Sequence, residues 1–106
     1  IDPSQVVGLN DLKQNAVSIQ SIAPNPVQTK AQVDVALNKA TAIQLKVYDL
    51  NGKVVKLLAD QTLGAGQHKF EFSPTNALGL RMSAGVYILR LESGDQPLSS
   101  KRFVVL

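Results

Sequence analysis

Residues 42–58 read A-I-Q-L-K-V-Y-D-L-N-G-K-V-V-K-L-L. Ile43, Leu45 and Val47 alternate with Gln44, Lys46 and Tyr48, the period-two signature of a strand with one face buried and one face wet. Asn51-Gly52 interrupts the run, and an apolar pattern resumes from Lys53 to Leu58. Asn-Gly between two apolar runs is a strong hairpin signal, because a two-residue type I′ turn needs positive φ at both central positions. The stretch therefore predicts two antiparallel strands joined by a tight turn.

The same alternation recurs on both sides. Val17–Ile22 sets Val17 and Ile19 against Ser18 and Gln20, then halts at Pro24-Asn25-Pro26. Two prolines in three residues remove two backbone donors and bias Ala23 and Asn25 to extended conformations. Gln32–Asn38 sets Val33, Val35 and Leu37 against Gln32, Asp34 and Asn38. Gly64-Ala65-Gly66 marks a second turn, after which His68, Phe70 and Phe72 alternate with Lys69 and Glu71. Ser73–Ala84 is a long connection with room for one helical turn. Gly85 opens a strand with Tyr87, Leu89 and Leu91 on one phase and Arg90 and Glu92 on the other. Gly94-Asp95 turns the chain into a last strand, Ser99–Leu106. Seven short strands with turns at short spacing and no amphipathic helix predict an all-β fold, a seven-stranded antiparallel immunoglobulin-like β-sandwich over residues 17–106. The chain has neither Cys nor Trp, so it is not an antibody-type domain. Residues 1–16 show little periodicity and read as a linker or lead-in.

Length and composition narrow the function. A chain of 106 residues fits one domain. The absence of Cys excludes disulfides and thiolate metal sites. The net charge of +3 is spread over scattered lysines rather than gathered in one run, which reads as a soluble surface and not a nucleic-acid footprint. No apolar run approaches the roughly 20 residues of a membrane-spanning helix. Ile1 stands where an initiator Met would, so the chain is expected to be a piece of a longer precursor.

Catalytic and metal chemistry find little purchase. His68 is the only histidine and alternates with Phe70 and Phe72, which suits a structural role better than a general base. None of the eight serines lies in a G-x-S-x-G elbow. Asp49-Leu50-Asn51-Gly52 has the opening of a calcium loop but lacks its later acidic ligands, and reads as a turn. Gly64-x-Gly66 leads into a strand rather than a helix, so it is no dinucleotide loop. Glu71 and Glu92, the only glutamates, fall on outward phases and are expected to be solvated. Tyr48 is the one aromatic on a polar phase, too few for a stacking platform. No catalytic residue, metal ligand or cofactor is predicted.

Taken in order, Pro24-Asn25-Pro26, V-Y-D-L-N-G-K at 47–53, Gly85-Val86-Tyr87 leading to Arg90-Leu91, and K-R-F-V-V-L at 101–106 resemble the type A C-terminal sorting domain of the type IX secretion system, the Por secretion family. V-G-L-N-D-L at 7–12 is similar to the linker that often precedes such domains. One departure is Ile22-Ala23 before the Pro-Asn-Pro turn, where the family often carries an aromatic. The resemblance implies a signal domain at the end of a larger cargo protein. It implies transit through the periplasm of a gram-negative bacterium and delivery to the cell surface or medium. The implied partners are an outer-membrane translocon, a shuttle, a sortase-like peptidase cutting within or before residues 1–16, and the N-terminal cargo of the same precursor.

Read residue by residue, Pro24, Asn25, Pro26, Asp49, Gly52, Gly85 and Tyr87 are first of all fold-forming. Phe103-Val104-Val105-Leu106 differs, being apolar on both phases where a half-exposed strand alternates. An edge strand of this kind offers unpaired backbone groups to a partner, so Lys101, Arg102, Phe103, Val104, Val105 and Leu106 are the candidate recognition residues. The same edge leaves an edge-strand or domain-swapped dimer open, and the plainer reading of the run is that it completes the sandwich core. The competing function is a structural or adhesive accessory domain, similar to the immunoglobulin-like domain of the flagellar hook-cap protein, or a carbohydrate-binding module.

Overall fold

A computed structural model describes residues 17–106. Seven strands follow one another: β1 (Val17–Ala23), β2 (Ala31–Leu37), β3 (Thr41–Tyr48), β4 (Val54–Leu63), β5 (Gly66–Phe72), β6 (Gly85–Ser93) and β7 (Gln96–Val105). They form a three-stranded sheet in the order β1-β2-β5 and a four-stranded sheet in the order β4-β3-β6-β7, with neighbouring strands antiparallel throughout. This is the predicted immunoglobulin-like sandwich. The lead-in assigned to residues 1–16 lies outside the described residues.

Alternation places the core as expected. Ile19, Val33 and Val35 of one sheet face Ile43, Leu45, Val47, Leu89 and Leu91 of the other, all buried. Phe72, Phe103 and Tyr87 add the aromatic bulk. Phe103 meets Phe72 edge-on with ring centres 5.4 Å apart, and Tyr87 stacks on it at 6.0 Å.

Three local expectations change. The β3–β4 connection is not a two-residue turn. Gly52 N–H donates to the Asp49 carbonyl and Asp49 N–H to the Lys53 carbonyl, closing a three-residue loop. The Asp49 carboxylate accepts the N–H groups of Asn51 and Lys53 at 2.9 and 3.0 Å, while Gly52 takes φ +85°. A short acidic side chain that bonds its own backbone selects this longer loop over the type I′ turn. β4 continues five residues past Leu58, with two register irregularities opposite β3 that break its period and hide its length from the sequence. Residues 73–84 form no helix. Thr75 and Arg81 bridge instead, and the Asn76 side chain accepts the N–H groups of Leu78 and Leu80.

The Pro24-Asn25-Pro26 turn performs the sheet switch. β1 lies at the edge of the three-stranded sheet. Beyond the prolines, Val27 pairs in parallel with Val105 at the edge of the four-stranded sheet. Val27 is fully buried, so this one residue both fills the core and laces the two sheets together.

Candidate functional site

Four segments distant in sequence meet at one end of the sandwich: the 24–28 crossover, the 49–53 loop, the 73–85 connection and the end of β7. The strand directions require it, because β1, β3, β5 and β7 all run toward this end and β2, β4 and β6 start from it. Val17, the 38–40 and 64–65 turns and Gly94-Asp95 lie at the opposite end.

The edge of β7 is already occupied at this pole. Val27 N–H donates to the Val104 carbonyl at 2.7 Å, and Leu106 N–H to the Val27 carbonyl at 2.9 Å. Val104 N–H donates to the Asn25 side-chain oxygen at 3.0 Å. Arg81 completes the clamp, its guanidinium donating to the Gln28 carbonyl at 2.7 Å and to the Leu106 carbonyl. Every outward backbone group from Val104 to Leu106 that would attract an added strand therefore has a partner within the chain.

The predicted residues divide accordingly. Phe103 and Val105 point inward and are buried, while Val104 lies half-buried on the outer face opposite Val86, and Leu106 is exposed. The run apolar on both phases thus keeps strand alternation. Lys101 and Arg102 are exposed and lie further along β7, away from the pole. Pro24, Asn25 and Pro26 form the crossover, and Asp49 and Gly52 form the neighbouring loop. Gly85 takes φ +155° at the entry to β6, where an added Cβ would meet open space, so backbone angle and not close approach is what glycine supplies. Tyr87 is buried, and its hydroxyl donates to the Ser83 carbonyl at 2.7 Å, pinning the 73–85 connection.

Three contributors were missed from sequence. Val27 stands alone among Pro26, Gln28 and Thr29, a faint signal that an isolated apolar residue after a crossover is core. Arg81 gives no periodic cue, since its partners are two backbone carbonyls. Lys56 is half-buried over the Phe72 ring at 5.4 Å and donates to Ser73 O and Thr75 Oγ1. Burial lowers its pKa from the usual lysine value.

Glu92 corrects an expectation. It lies on the outer face, as alternation requires, but it is buried rather than solvated, whereas Glu71 is exposed. One carboxylate oxygen accepts the Lys46 ammonium at 3.2 Å. The other accepts the Tyr48 hydroxyl and faces the Arg90 guanidinium at 3.5 Å. Burial opposes its charge, but the Tyr48 hydroxyl, Lys46 and Arg90 together outweigh that and hold its pKa below the ordinary carboxylate range. Glu92 in turn raises the Lys46 pKa through their hydrogen bond. Arg90 stacks over Tyr48 at 5.0 Å, so the one aromatic on a polar phase is half-covered.

The described residues include two open clefts. One of about 390 Å³ has Phe70, Pro24, Lys30 and Lys69 in its walls. The other, about 150 Å³, lies between Tyr48, Leu50, Ile88 and Arg90. Neither has the nucleophile–base pair of a hydrolase, and His68 binds the Gly64 carbonyl at 2.7 Å instead. Among the described residues no three metal-ligating side chains converge.

Solved structures with this fold include dimeric latent PorU from Porphyromonas gingivalis (TM-score 0.66, 16% identity), which covers 81% of this chain. A Kluyveromyces marxianus β-glucosidase gives 0.62 at 20% identity over 85% of this chain. FlgD from Xanthomonas campestris gives 0.56 at 24% over 84%. The chain spans 9% of PorU, 14% of the β-glucosidase and 64% of FlgD, so these likenesses are likenesses of fold. No curated protein matches the chain in sequence. The family model of the secretion system C-terminal sorting domain matches residues 21–106, from within β1 through the end of β7, taking in the crossover, the 49–53 loop, Gly85-Val86-Tyr87 and the terminal run. The chain therefore belongs to the type IX secretion C-terminal sorting domains, and its role is that of a signal for export to the cell surface or beyond.

Proposed function

We propose that this domain rides at the end of a larger cargo, crosses the periplasm with it, and offers the crossover pole to an outer-membrane translocon and its shuttle. The cargo joins on the Val17 side, at the far end of the sandwich. A sortase-like peptidase cuts within or before residues 1–16 and frees the cargo from the signal. The observation that supports this reading is the meeting of Asn25, Val104 and Leu106 at one pole, opposite Val17. Val104 and Leu106 supply recognised side chains at the pole, Lys101 and Arg102 extend the recognised surface along β7, and Phe103 and Val105 hold the strand in place.

A simple truncation is the wrong test, because removing Phe103–Leu106 strips two fully buried side chains and with them the fold. The cleaner experiment fuses the chain to a periplasmic reporter in a host with type IX machinery and changes only exposed positions. Lys101→Glu, Arg102→Glu and Leu106→Ser together are expected to cut surface reporter by about tenfold while the thermal transition of the domain stays within about 0.5 kcal/mol of the parent. Full surface delivery from this folded variant shows that the terminal strand is not the signal.

A further inference from the structure

Six large apolar side chains are exposed among the described residues: Leu50, Val54, Leu57, Leu78, Leu80 and Leu106. None lies at the Val17 end. Leu50 tips the 49–53 loop, Val54 and Leu57 follow on the first half of β4, Leu78 and Leu80 sit on the 73–85 connection, and Leu106 follows β7. These segments are fastened to one another. Ala77 N–H donates to the Val55 carbonyl at 3.0 Å, Lys56 to Ser73 and Thr75, and Arg81 to Leu106. The Asn76 side chain holds the Leu78–Leu80 backbone at 2.8 and 3.0 Å. The leucines are thus displayed on braced backbone. Scattered single exposed apolar residues are ordinary, but a display gathered at one end marks an interaction surface.

We propose that this pole is the docking surface for a folded protein of the export machinery, one presenting an apolar centre bordered by carboxylates. The inference rests on the export reading above. Charge selects that chemistry. Lys53 on the loop and Arg81 on the 73–85 connection are exposed cations, Arg81 being the single charge in residues 74–84, while Arg90 beside Leu50 is already matched by Glu92 at 3.5 Å. The acid of the loop is Asp49, whose carboxylate already accepts two backbone N–H groups. A second copy of the chain would bring these cations against their own images. A bilayer is a poorer fit as well. Two cations contribute roughly 2 kcal/mol of attraction to an anionic surface, well short of a polybasic cluster. The leucines also spread from the loop tips onto the outer side of β4 and do not form one insertable tip.

The test uses the reporter fusion in the type IX host, with a photocrosslinking residue at position 57 or 78, and at Ala65 of the opposite end as the control. Positions 57 and 78 are expected to give a discrete protein adduct, about tenfold stronger than position 65 and lost without the translocon. Leu78→Ser with Leu80→Ser is expected to cut surface reporter by about tenfold with the melting curve unchanged. Normal export of this variant, or equal adducts from both ends, overturns the docking pole and leaves the sorting function standing. Failure of the parent fusion to depend on this domain for export removes both. Purified chain is expected to stay monomeric in sedimentation and to ignore phosphatidylcholine vesicles doped with phosphatidylglycerol. Self-association or vesicle binding abolished by the leucine variant would reassign the pole to a second copy or to lipid, and overturn the proposal.

Discussion

The two ends of this sandwich are built on different rules. The Val17 end is closed by short polar turns, 38–40, 64–65 and Gly94-Asp95, joined by two long-range side-chain bonds, Gly94 N–H to Gln44 and Ile19 N–H to the Ser99 hydroxyl. The crossover end is made of contacts far apart in sequence, between Val27 and Val104, Arg81 and Gln28, and Lys56 and Ser73. It also carries the aromatic trio and all six exposed large apolar side chains. What sets the crossover end apart is backbone lacing and a guanidinium clamp beneath an apolar surface, where the other end has polar turns and side-chain bonds. The contrast supports the proposal that the crossover end presents and the Val17 end connects.

Three substitutions break or sharpen the contrast. The largest effect is expected from Phe103→Ala, which removes the ring shared by Phe72 and Tyr87. Urea unfolding should show a loss of about 3–5 kcal/mol. A loss below about 1 kcal/mol would mean the aromatic trio does not hold the braced end. The next concerns the far half of the four-stranded sheet. Glu92→Gln keeps the shape but removes the charge that Lys46 and Arg90 face, with an expected loss of about 1–2 kcal/mol at neutral pH. Because Glu92 titrates below the ordinary carboxylate value, its contribution is full above that value. The contribution disappears as pH falls through the lower one, so the gap between parent and variant should narrow below about pH 4. A gap constant down to strong acid would show that the charge contributes nothing. The smallest effect is Asn25→Ala, about 1 kcal/mol, from one lost hydrogen bond at the crossover. Its sharper readout is local: amide exchange should accelerate at Val104 but not at Leu91, and unchanged exchange at Val104 would remove Asn25 from the clamp.

What the sequence made legible follows from what period two reports. It reports which side of a sheet a residue occupies, and so it found the core positions of β2, β3 and β6 and the sandwich they require. It does not report what covers a side chain from above. Glu92 is outward and yet buried, because Tyr48, Lys46 and Arg90 close over it. Bulges erase the period, which is why β4 was read only to Leu58. At the candidate site, the Pro-Asn-Pro turn and the terminal run were visible as separate motifs. Their joining was not, because it runs through the backbone of Val27 and the carbonyls taken by Arg81, and carbonyls are the same in every sequence.

The parallel course of β1 and β7 also has a mechanical side. Both run toward the crossover end, so a tension applied between Val17 and Leu106 lies along the strand axes. Such a load shears many ladder bonds together instead of peeling them one by one. A cargo tugging on one end of this domain while the other is gripped would meet a handle oriented to stay folded under pull.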